Sequence, residues 1–457
     1  MSKLIIKLGD ITVPKDTPFA NDRFEREPYA QSLRSLALSC AETGCVLSVN
    51  GGWGVGKTTF IRMWGQYMRN AGHPVICFNA WESDFTEDPI VPMLAELSKL
   101  NSEDDTFAKC ISPVLSIVAE SICQKVLGVS TEKIDEEFSG DKLIRSYLTQ
   151  KEKFDAFRSE LSEYVANIGE RELPVIFIID ELDRCNPSYA VKVLEHIKHI
   201  FDVPNIFFVL VINKEQLEYA VKGYYGSEAI DAANYLRRFI DVEFNMPPLP
   251  MHKACDYLYE HYDFQSYFYT KQSSGAGLEE SFKYLLSMII QRRDMDFRTL
   301  GKLCSYTRLV FMTLDGYRYV ADVMLLLCYL RTGHKNLYER IKEHQLSILD
   351  LYFELEKMFL GDVAMPSISR TDSLMLLDTL SKLLWIYNYL TLYKPVEGWL
   401  NSLQSDSVLD RTSIHFSNKE LVDSLVSCVS VRNNRITLPE IIRRLELASA
   451  FSFNEDA

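Results

Sequence analysis

Asn50-Gly51-Gly52-Trp53-Gly54-Val55-Gly56-Lys57-Thr58-Thr59 is the stretch that decides the fold of this chain. The apolar residues 46–49 precede it and the helix-like residues 60–64 follow it. The order strand, glycine-rich loop, Gly-Lys-Thr, helix is typical of a loop that binds the phosphates of a nucleoside triphosphate. Glycines let backbone N–H groups turn toward phosphate oxygens, and the N-terminus of the helix adds partial positive charge. The stretch therefore predicts a nucleotide-binding site.

Particular side chains in and before this loop are expected to contact the nucleotide. Lys57 is expected to reach the β- and γ-phosphates, and the Thr58 hydroxyl to bind Mg²⁺. The segment before such a loop often borders the base, so Arg26 and Tyr29 are candidates to contact adenine, unless they belong to an ordinary surface helix. The predicted nucleotide-binding residues are Tyr29, Gly51, Trp53, Gly54, Val55, Gly56, Lys57, Thr58 and Thr59.

A second motif lies far downstream, where a predicted strand ends in acidic residues. Residues 175–179 are an uninterrupted β-branched and aromatic run, typical of a parallel strand that is buried on both faces. Asp180 follows this run and is the candidate second ligand of the Mg²⁺ that Thr58 binds. Glu181 would polarise the attacking water, and Asp183 is the alternative base or an outer ligand of the metal. The two motifs predict the Walker A and Walker B parts of one site.

Two further strands are predicted, at residues 74–79 and 205–212. The first leads into Trp81, which we expect to be a core anchor. The second ends at Asn213, where many such enzymes place a polar side chain against the γ-phosphate or the attacking water. The residues from Asn213 onward resemble the Asn-Lys-x-Asp signature that selects guanine, but Gln216 replaces its aspartate. We therefore expect adenine, and ATP as the nucleotide.

Three arginines are candidates to stabilise charge on the transferred phosphate. Arg237 and Arg238 lie where a helix runs into a predicted edge strand, and either could act within the chain or across a subunit interface. The alternative is a basic pair on a solvated helix surface. Arg298 is near the start of a later predicted helix, and is a candidate to reach back to the γ-phosphate and report its presence to the helical domain.

The pattern of helices and breaks predicts two domains. Residues 85–170 separate the two phosphate-site motifs and are predicted to form a helical insertion, which includes the acidic patch at residues 103–105. Met246-Pro247-Pro248-Leu249-Pro250 breaks both helix and strand, and the pattern beyond it is helical. We predict a P-loop ATPase domain over residues 1–250 and an all-α C-terminal domain over residues 251–457.

The composition is that of an acidic globular protein. The 457 residues have a formal net charge of −14, which argues against a general polyanion-binding surface but leaves a local basic groove open. The ten cysteines are scattered singly, as expected for reduced thiols in the cytoplasm rather than for disulfides or zinc. His196 and His199 could share a helix face, but without nearby cysteines we do not predict a metal site there.

Three apolar segments are candidates for membrane spans. Residues 111–129 and 374–393 are interrupted by charged or polar side chains, and residues 323–330 are far shorter than the ~20 residues a span requires. All three are predicted to be core-facing or amphipathic helices. We therefore expect a soluble, cytoplasmic protein without an integral membrane segment, with peripheral association left open.

Taken together, these elements resemble the KAP-family P-loop NTPases over roughly residues 15–330. The Asn-Ala-Trp and Asp-x-Leu-Asp-Arg-Cys elements make the resemblance more specific than a generic phosphate loop. The residues that carry it are Asp22 and Tyr29, the glycine-rich stretch, Phe78-Asn79-Ala80-Trp81, Ile179-Asp180-Glu181-Leu182-Asp183-Arg184-Cys185, and Tyr235-Leu236-Arg237-Arg238 followed by Pro247.

The resemblance implies an α/β P-loop NTPase fold of the additional-strand ATPase type, with a mostly parallel sheet and the acidic strand beside the phosphate-loop strand. It also implies an insertion between the two motifs, which in some members contains transmembrane helices. Bacterial members are often associated with phage exclusion and other defence systems. Two positions depart from the family pattern: members usually have Asp where Glu181 stands, and more often Asp where Asn213 stands.

The sequence therefore predicts an ATP-binding, Mg²⁺-dependent ATPase of the KAP type, in which hydrolysis changes the conformation of the helical domain. A homo-oligomer, a separate effector protein, or both are expected as partners, and the resemblance associates the chain with antiviral defence. One alternative is a non-hydrolysing ATP-dependent switch or scaffold. A DNA-translocating motor is disfavoured by the acidic charge, and nucleic acid as a partner is left open.

Overall fold

The computed structural model describes residues 11–100, 140–168, 173–269, 276–313, 318–361, 370–391, 416, 418–428 and 437–449. The chain forms two compact units, one spanning Asp10–Pro248 and the other beginning at Leu249. The acidic patch at residues 103–105 and the apolar segment at residues 111–129 lie outside the described residues.

The first unit alternates strands with helices. Its elements in chain order are α1 (Glu27–Ser39), β1 (Cys45–Asn50), α2 (Lys57–Asn70), β2 (Val75–Asn79), α3 (Ile90–Ser98), α4 (Gly140–Ala166), β3 (Val175–Asp180), α5 (Pro187–His199), β4 (Ile206–Ile212), α6 (Lys214–Tyr225), α7 (Ala232–Leu236) and β5 (Val242–Asn245). The strands that the sequence predicted at residues 74–79, 175–179 and 205–212 are present as β2, β3 and β4.

The five strands form one sheet in the order β2-β3-β4-β1-β5, and every pair is parallel. Helices cover both faces: α1 and α2 pack on one, and α3 to α6 contribute to the apolar cluster on the other. Because the strands are parallel, their carboxyl ends meet at one edge. That edge brings together the loop after β1, Asp180 at the end of β3 and Asn213 after β4.

The expectation that the acidic strand lies directly beside the phosphate-loop strand is wrong. β4 pairs with both β1 and β3 and separates them. All seven residues of β4 are buried, so this strand suits the middle of a sheet that is covered on both faces. With strands about 4.8 Å apart, Asp180 ends a strand roughly 10 Å from β1. The fold is an α/β P-loop fold with an additional strand between the two motif strands.

Trp81 is not the core anchor that the sequence suggested. It opens a single 3₁₀ turn, Trp81–Ser83, directly after β2, and is 47% exposed, whereas the preceding Ala80 is fully buried. The indole packs on the guanidinium of Arg184, which lies 5.5 Å from the ring centre.

The second unit is helical throughout its described residues. Its helices are α8 (Met251–His261), α9 (Gln265–Phe268), α10 (Ala276–Arg292), α11 (Phe297–Thr313), α12 (Ala321–Gly333), α13 (Lys335–Lys342), α14 (Ile348–Leu360), α15 (Arg370–Thr391), α16 (Asn418–Ser427) and α17 (Leu438–Ser449).

The core of the second unit is built from helix α12 and the helices around it. Residues 321–330 are all buried, and α15 contributes a further row of buried leucines. A buried ion pair crosses this core, with Lys382 Nζ 2.8 Å from Asp322 Oδ2 and 2.7 Å from Asp378 Oδ2. The apolar segment at 323–330, and the buried residues between 376 and 387 in the segment that begins at 374, therefore pack in a protein core. Among the described residues, no helix has the length and apolarity needed to cross a membrane.

Candidate nucleotide-binding site

The glycine-rich loop occupies residues 51–56, between the end of β1 and the start of α2. Gly54 and Gly56 have φ of 77° and 81°, the left-handed region that glycine adopts without strain. A Cβ atom at Gly56 would also lie 2.9 Å from Arg26 Nη1. The loop conformation therefore requires glycine at its last position, immediately before α2.

Lys57 lies over the loop that precedes it. Its Nζ donates to the carbonyl oxygens of Gly51 at 2.6 Å and Gly52 at 3.1 Å. The same residue begins α2, so the ammonium group and the N–H groups of the first helical turn, which have no acceptor within the helix, share one location. Both favour an anion.

Asp180, at the end of β3, has the environment of a metal ligand. Its side chain hydrogen-bonds to that of Thr58. Its Oδ1 also accepts from the backbone N–H of Glu181 at 2.9 Å. Burial, reinforced by the negative charges of Glu181 and Asp183, raises the pKa of the Asp180 carboxyl, although the hydrogen bonds from Thr58 and Glu181 oppose that rise. A cation bound here would relieve the cost of the buried charge.

This donor set fits Mg²⁺ in particular. Mg²⁺ is usually held in phosphate sites by one or two protein oxygens, with nucleotide phosphates and water completing the octahedron. Thr58 and Asp180 supply a hydroxyl and a carboxylate that already contact one another. Within the described ranges there is no cluster of three or more His, Cys, Asp or Glu side chains that could hold a metal without phosphate ligands.

Glu181 follows Asp180 in a left-handed backbone conformation, with φ of 61°. Non-glycine residues adopt this region at a cost, and such residues cluster at functional sites. Its Oε1 is 3.1 Å from Arg184 Nη1, and its Oε2 accepts from Asn79 Nδ2 at 3.4 Å. The carboxylate is thus held between the end of β2 and the turn that follows β3.

Asp183, the other candidate base, is committed to a different contact. Its Oδ2 accepts from the indole N–H of Trp53 at 3.1 Å. This hydrogen bond ties the acidic turn after β3 to the glycine-rich loop across the intervening strand. The two acids therefore have distinct surroundings, since Glu181 pairs with a cation and Asp183 with a neutral donor.

Asn213 stands where β4 ends, at the N-cap position of α6. Two hydrogen bonds tie the start of the loop to this point: Gly51 N donates to the backbone Ile212 O at 3.2 Å, and Lys214 N donates to the side-chain Oδ1 of Asn50, the last residue of β1, at 2.9 Å. The structure thus brings Asn213 to the same edge as Lys57 and Asp180. Asn213 is half-buried, and the strand that it follows, β4, pairs with β1, which leads into the phosphate loop.

The remaining predicted residues are placed less centrally. Tyr29 is in the first turn of α1, partly exposed, with its ring 5.7 Å from that of Phe244 on β5. Arg237 and Arg238 are exposed at the end of α7. Arg298 belongs to α11 of the second unit. Their functional roles stay predictions.

Sequence reasoning missed several of these contacts. Arg26 was a candidate for adenine, but its guanidinium hydrogen-bonds to the carbonyls of Val55 and Gly56 in the loop. Asn79 and Arg184, which hold Glu181, were not assigned a role. The signal for Asn79 and Arg184 was available, because both belong to the short elements that made the family resemblance specific.

Comparison with known proteins shows the family of the chain. The model of the KAP family P-loop domain matches residues 26–312. The chain belongs to the KAP family. The matched range contains the glycine-rich loop, the acidic strand end, Asn213 and all three candidate arginines, so this KAP chain has its whole candidate site within the family domain.

One curated relative and two solved structures complete the comparison. The Phage T7 exclusion protein of Escherichia coli (strain K12) is 22% identical over an alignment of 258 residues, and the match covers 51% of the KAP chain but only 34% of that protein. The Aeropyrum pernix ORC2 protein aligns over 90% of the chain and 95% of its own, at 12% identity and a TM-score of 0.32. The Thermotoga maritima RuvB Holliday junction branch migration motor aligns over 75% and 86%, at 12% identity and 0.31.

The buried acid of this site leads to a prediction about stability. In the absence of Mg²⁺ and nucleotide, Asp180→Asn is expected to raise Tm, because it removes a buried charge next to Glu181 and Asp183. A raised pKa means that the native state binds more protons than the unfolded state, so ionised Asp180 costs stability above its unfolded pKa. Thermal melts at pH 7 measure this.

The pH dependence provides the control for that prediction. The stabilisation by Asp180→Asn should shrink as the pH falls through the native-state pKa of Asp180, because the wild-type carboxyl is then protonated as well. The same substitution should abolish any stabilisation of the protein by Mg²⁺. A melt that is lowered at pH 7, or a Mg²⁺ effect that persists in the variant, would contradict the assignment.

Proposed function

We propose that this KAP protein binds ATP with Mg²⁺ and hydrolyses it. The observation that carries the proposal is the meeting of four side chains at the carboxyl edge of the sheet: Lys57 over the loop, Thr58 bonded to Asp180, and Glu181 on the adjacent residue. A cation, a hydroxyl, a metal-binding carboxylate and a second carboxylate are the groups that phosphoryl transfer to water requires.

Each residue has a separate part in the reaction. Lys57 and the N–H groups at the start of α2 bind the phosphates and stabilise charge that builds up on them. Thr58 and Asp180 would hold Mg²⁺, which supplies electrostatic neutralisation of the phosphate oxygens when bound. Asn213, at the end of β4, orients the terminal phosphate or the water.

Glu181 is the proposed base, and Asp183 a loop support. Glu181 is half-buried and its partners, Arg184 and Asn79, are side chains that can rotate away. Asp183 instead holds the Trp53 indole and so fixes the loop. A carboxylate that orients water must have an oxygen available to it, and Glu181 can provide one by exchanging its weaker contact, the 3.4 Å hydrogen bond from Asn79.

Adenine is the proposed base of the nucleotide, and its position is proposed next to Tyr29. Tyr29 and Phe244 form a partly exposed aromatic pair, and Phe244 also lies 6.2 Å from Phe60, one turn into α2. A purine can stack on such a pair. The absence of aspartate at Gln216 removes the hydrogen-bond acceptor that guanine-specific loops use.

Hydrolysis is proposed to change the conformation of the helical unit and to act through partners. The exposed Arg237 and Arg238 would stabilise phosphate charge in a neighbouring copy of the chain, and Arg298 would link the nucleotide state to the helices. The name of the E. coli relative supports a role in anti-phage defence. The cytoplasm, where ATP is available, is the proposed location.

An ATP-dependent switch without turnover is the second candidate. The observation that favours it is the ion pair between Glu181 and Arg184, which occupies the proposed base. In a switch, this pair would persist with nucleotide bound, and ATP would stabilise one conformation of the chain.

Steady-state phosphate release tests the proposal. The wild-type protein is expected to hydrolyse ATP in the presence of Mg²⁺, to lose that activity in EDTA, and to use GTP less well. Binding of ATP without phosphate release, with or without added E. coli lysate as a source of partners, would favour the switch. Equal use of GTP would contradict the assignment of adenine.

A further inference from the structure

A buried guanidinium lies beneath the phosphate loop. Arg26 is only 5% exposed, and burial lowers its pKa to about 10 even though Asp22 and Tyr29 favour its charged form. Its Nη2 donates to Val55 O at 2.7 Å and its Nη1 to Gly56 O at 3.2 Å. Burying a charge is costly unless its hydrogen bonds are satisfied. The loop carbonyls therefore both hold this side chain and are held by it.

The direction of those carbonyls fixes the direction of the neighbouring amides. A trans peptide unit is planar, and its C=O and N–H point to opposite sides. The Val55 carbonyl shares its peptide with the N–H of Gly56, and the Gly56 carbonyl shares its peptide with the N–H of Lys57. With both carbonyls turned toward Arg26, the N–H groups of Gly56 and Lys57 are turned away from it, to the side on which a bound anion would lie.

The segment before α1 holds Arg26 in this position. The Asp22 carboxylate accepts from the backbone N–H groups of Phe24 at 3.1 Å, Glu27 at 3.1 Å and Arg26 itself. The guanidinium carbon lies 5.4 Å from the ring centre of Phe24. On the loop side, a Cβ atom at Gly56 would be 2.9 Å from Arg26 Nη1, so the guanidinium can approach this closely only because residue 56 is glycine. Both the segment before α1 and the loop therefore favour this contact.

We propose that Arg26 is a positioning residue for the phosphates of the nucleotide, acting through the carbonyls of Val55 and Gly56. Arg26 therefore affects binding of the polyphosphate chain, which the loop amides bind, and not binding of the adenine base. This inference rests on the proposed function. The positive charge of Arg26 beneath the loop also favours phosphate binding, because it raises the electrostatic potential at the anion site.

Inorganic tripolyphosphate distinguishes the polyphosphate chain from the base, because it has phosphates and no adenine. Affinities of the full-length protein for Mg²⁺-ATP and for Mg²⁺-tripolyphosphate are measured by calorimetry for wild type and Arg26→Lys. Lysine keeps the charge but cannot donate to two carbonyls in a fixed fork. We expect both affinities to fall by a similar factor, about tenfold or more, the scale of one charged hydrogen bond.

Arg69→Lys is the matched control. Arg69 is on the same α2 helix, at its far end, and its Nη2 also donates to a backbone carbonyl, that of Val75, at 3.4 Å. It should leave both affinities within about twofold of wild type. Tm is measured for each variant, and kcat at saturating ATP should change less for Arg26→Lys than the affinities do.

A second variant separates positioning from support of the fold. Arg26→Ala is titrated with methylguanidinium, which is expected to restore affinity for tripolyphosphate. Loss of ATP affinity without loss of tripolyphosphate affinity would overturn the inference in favour of a contact with adenine. Unchanged affinities in Arg26→Lys, or a methylguanidinium effect on Tm alone, would overturn it as well. Failure of the wild type to bind either ligand would instead overturn the proposed function.

Discussion

Lys57→Ala is expected to weaken ATP binding by about 100-fold or more, since it removes a charged donor from the phosphates and leaves their charge uncompensated. In the structure, Lys57 Nζ lies within 3.1 Å of two loop carbonyls, at the mouth of the loop and the start of α2. Calorimetric titration with Mg²⁺-ATP measures the loss, and phosphate release should fall with it.

Lys214→Ala is the control for this prediction. Lys214 begins α6 at the same edge of the sheet, and its Nζ forms an ion pair with Glu243 at 2.6 Å instead of facing the loop. Partly exposed pairs of this kind contribute little, so its loss should change ATP affinity by less than about threefold. Equal effects of the two substitutions would contradict a specific role for Lys57.

Glu181→Gln is expected to reduce turnover by about 10²-fold to 10⁴-fold, the usual contribution of a general base, while ATP affinity is retained. Glutamine keeps the size and the hydrogen bond to Asn79 but cannot take up a proton. Single-turnover measurements with saturating ATP separate this loss from binding. The variant should therefore trap the protein with ATP bound.

Asp183→Asn is the matched substitution at the other acid. Its amide oxygen can still accept from the Trp53 indole, which Asp183 now does at 3.1 Å. We therefore expect most of the activity to remain. If Asp183→Asn loses turnover and Glu181→Gln keeps it, the base is Asp183, and the assignment made from their contacts is wrong.

The parts of the fold that were predictable from sequence are those that neighbouring residues determine. The strand, loop and helix around Gly51 and Lys57 form one continuous segment, and a run such as residues 175–179 is apolar enough to identify a buried strand. The Pro-rich stretch at 246–250 likewise breaks regular structure by its own chemistry.

The order of the strands was not predictable in the same way. The sequence suggested that β3 lies beside β1, but β4 lies between them. Each of these strands is mostly apolar, and the residues within a strand do not specify which strand it pairs with. All residues of β4 are buried, whereas the last residues of β1 and β3 are only half-buried. In hindsight, this difference marks β4 as the central strand.

The contacts within the site were the hardest to anticipate. Trp53 and Asp183 are 130 positions apart, and Asn79 and Glu181 are 102 apart, so their pairing depends on the assembled sheet. Arg26 was one candidate to contact the base, with an ordinary surface helix as the alternative, because of its position before the loop. Its turn toward the loop carbonyls depends on how Asp22 folds the preceding segment. The approach of Thr58 to Asp180 could be predicted from the two motifs, but these other pairings could not.

Titration of the wild-type protein with ATP in the presence of Mg²⁺, by calorimetry, tests the nucleotide site most directly. The geometry of Lys57, Thr58 and Asp180 predicts one ATP bound per chain, with affinity that falls when Mg²⁺ is removed and that tripolyphosphate competes away. A folded protein that shows no binding of ATP under these conditions would contradict the proposed site.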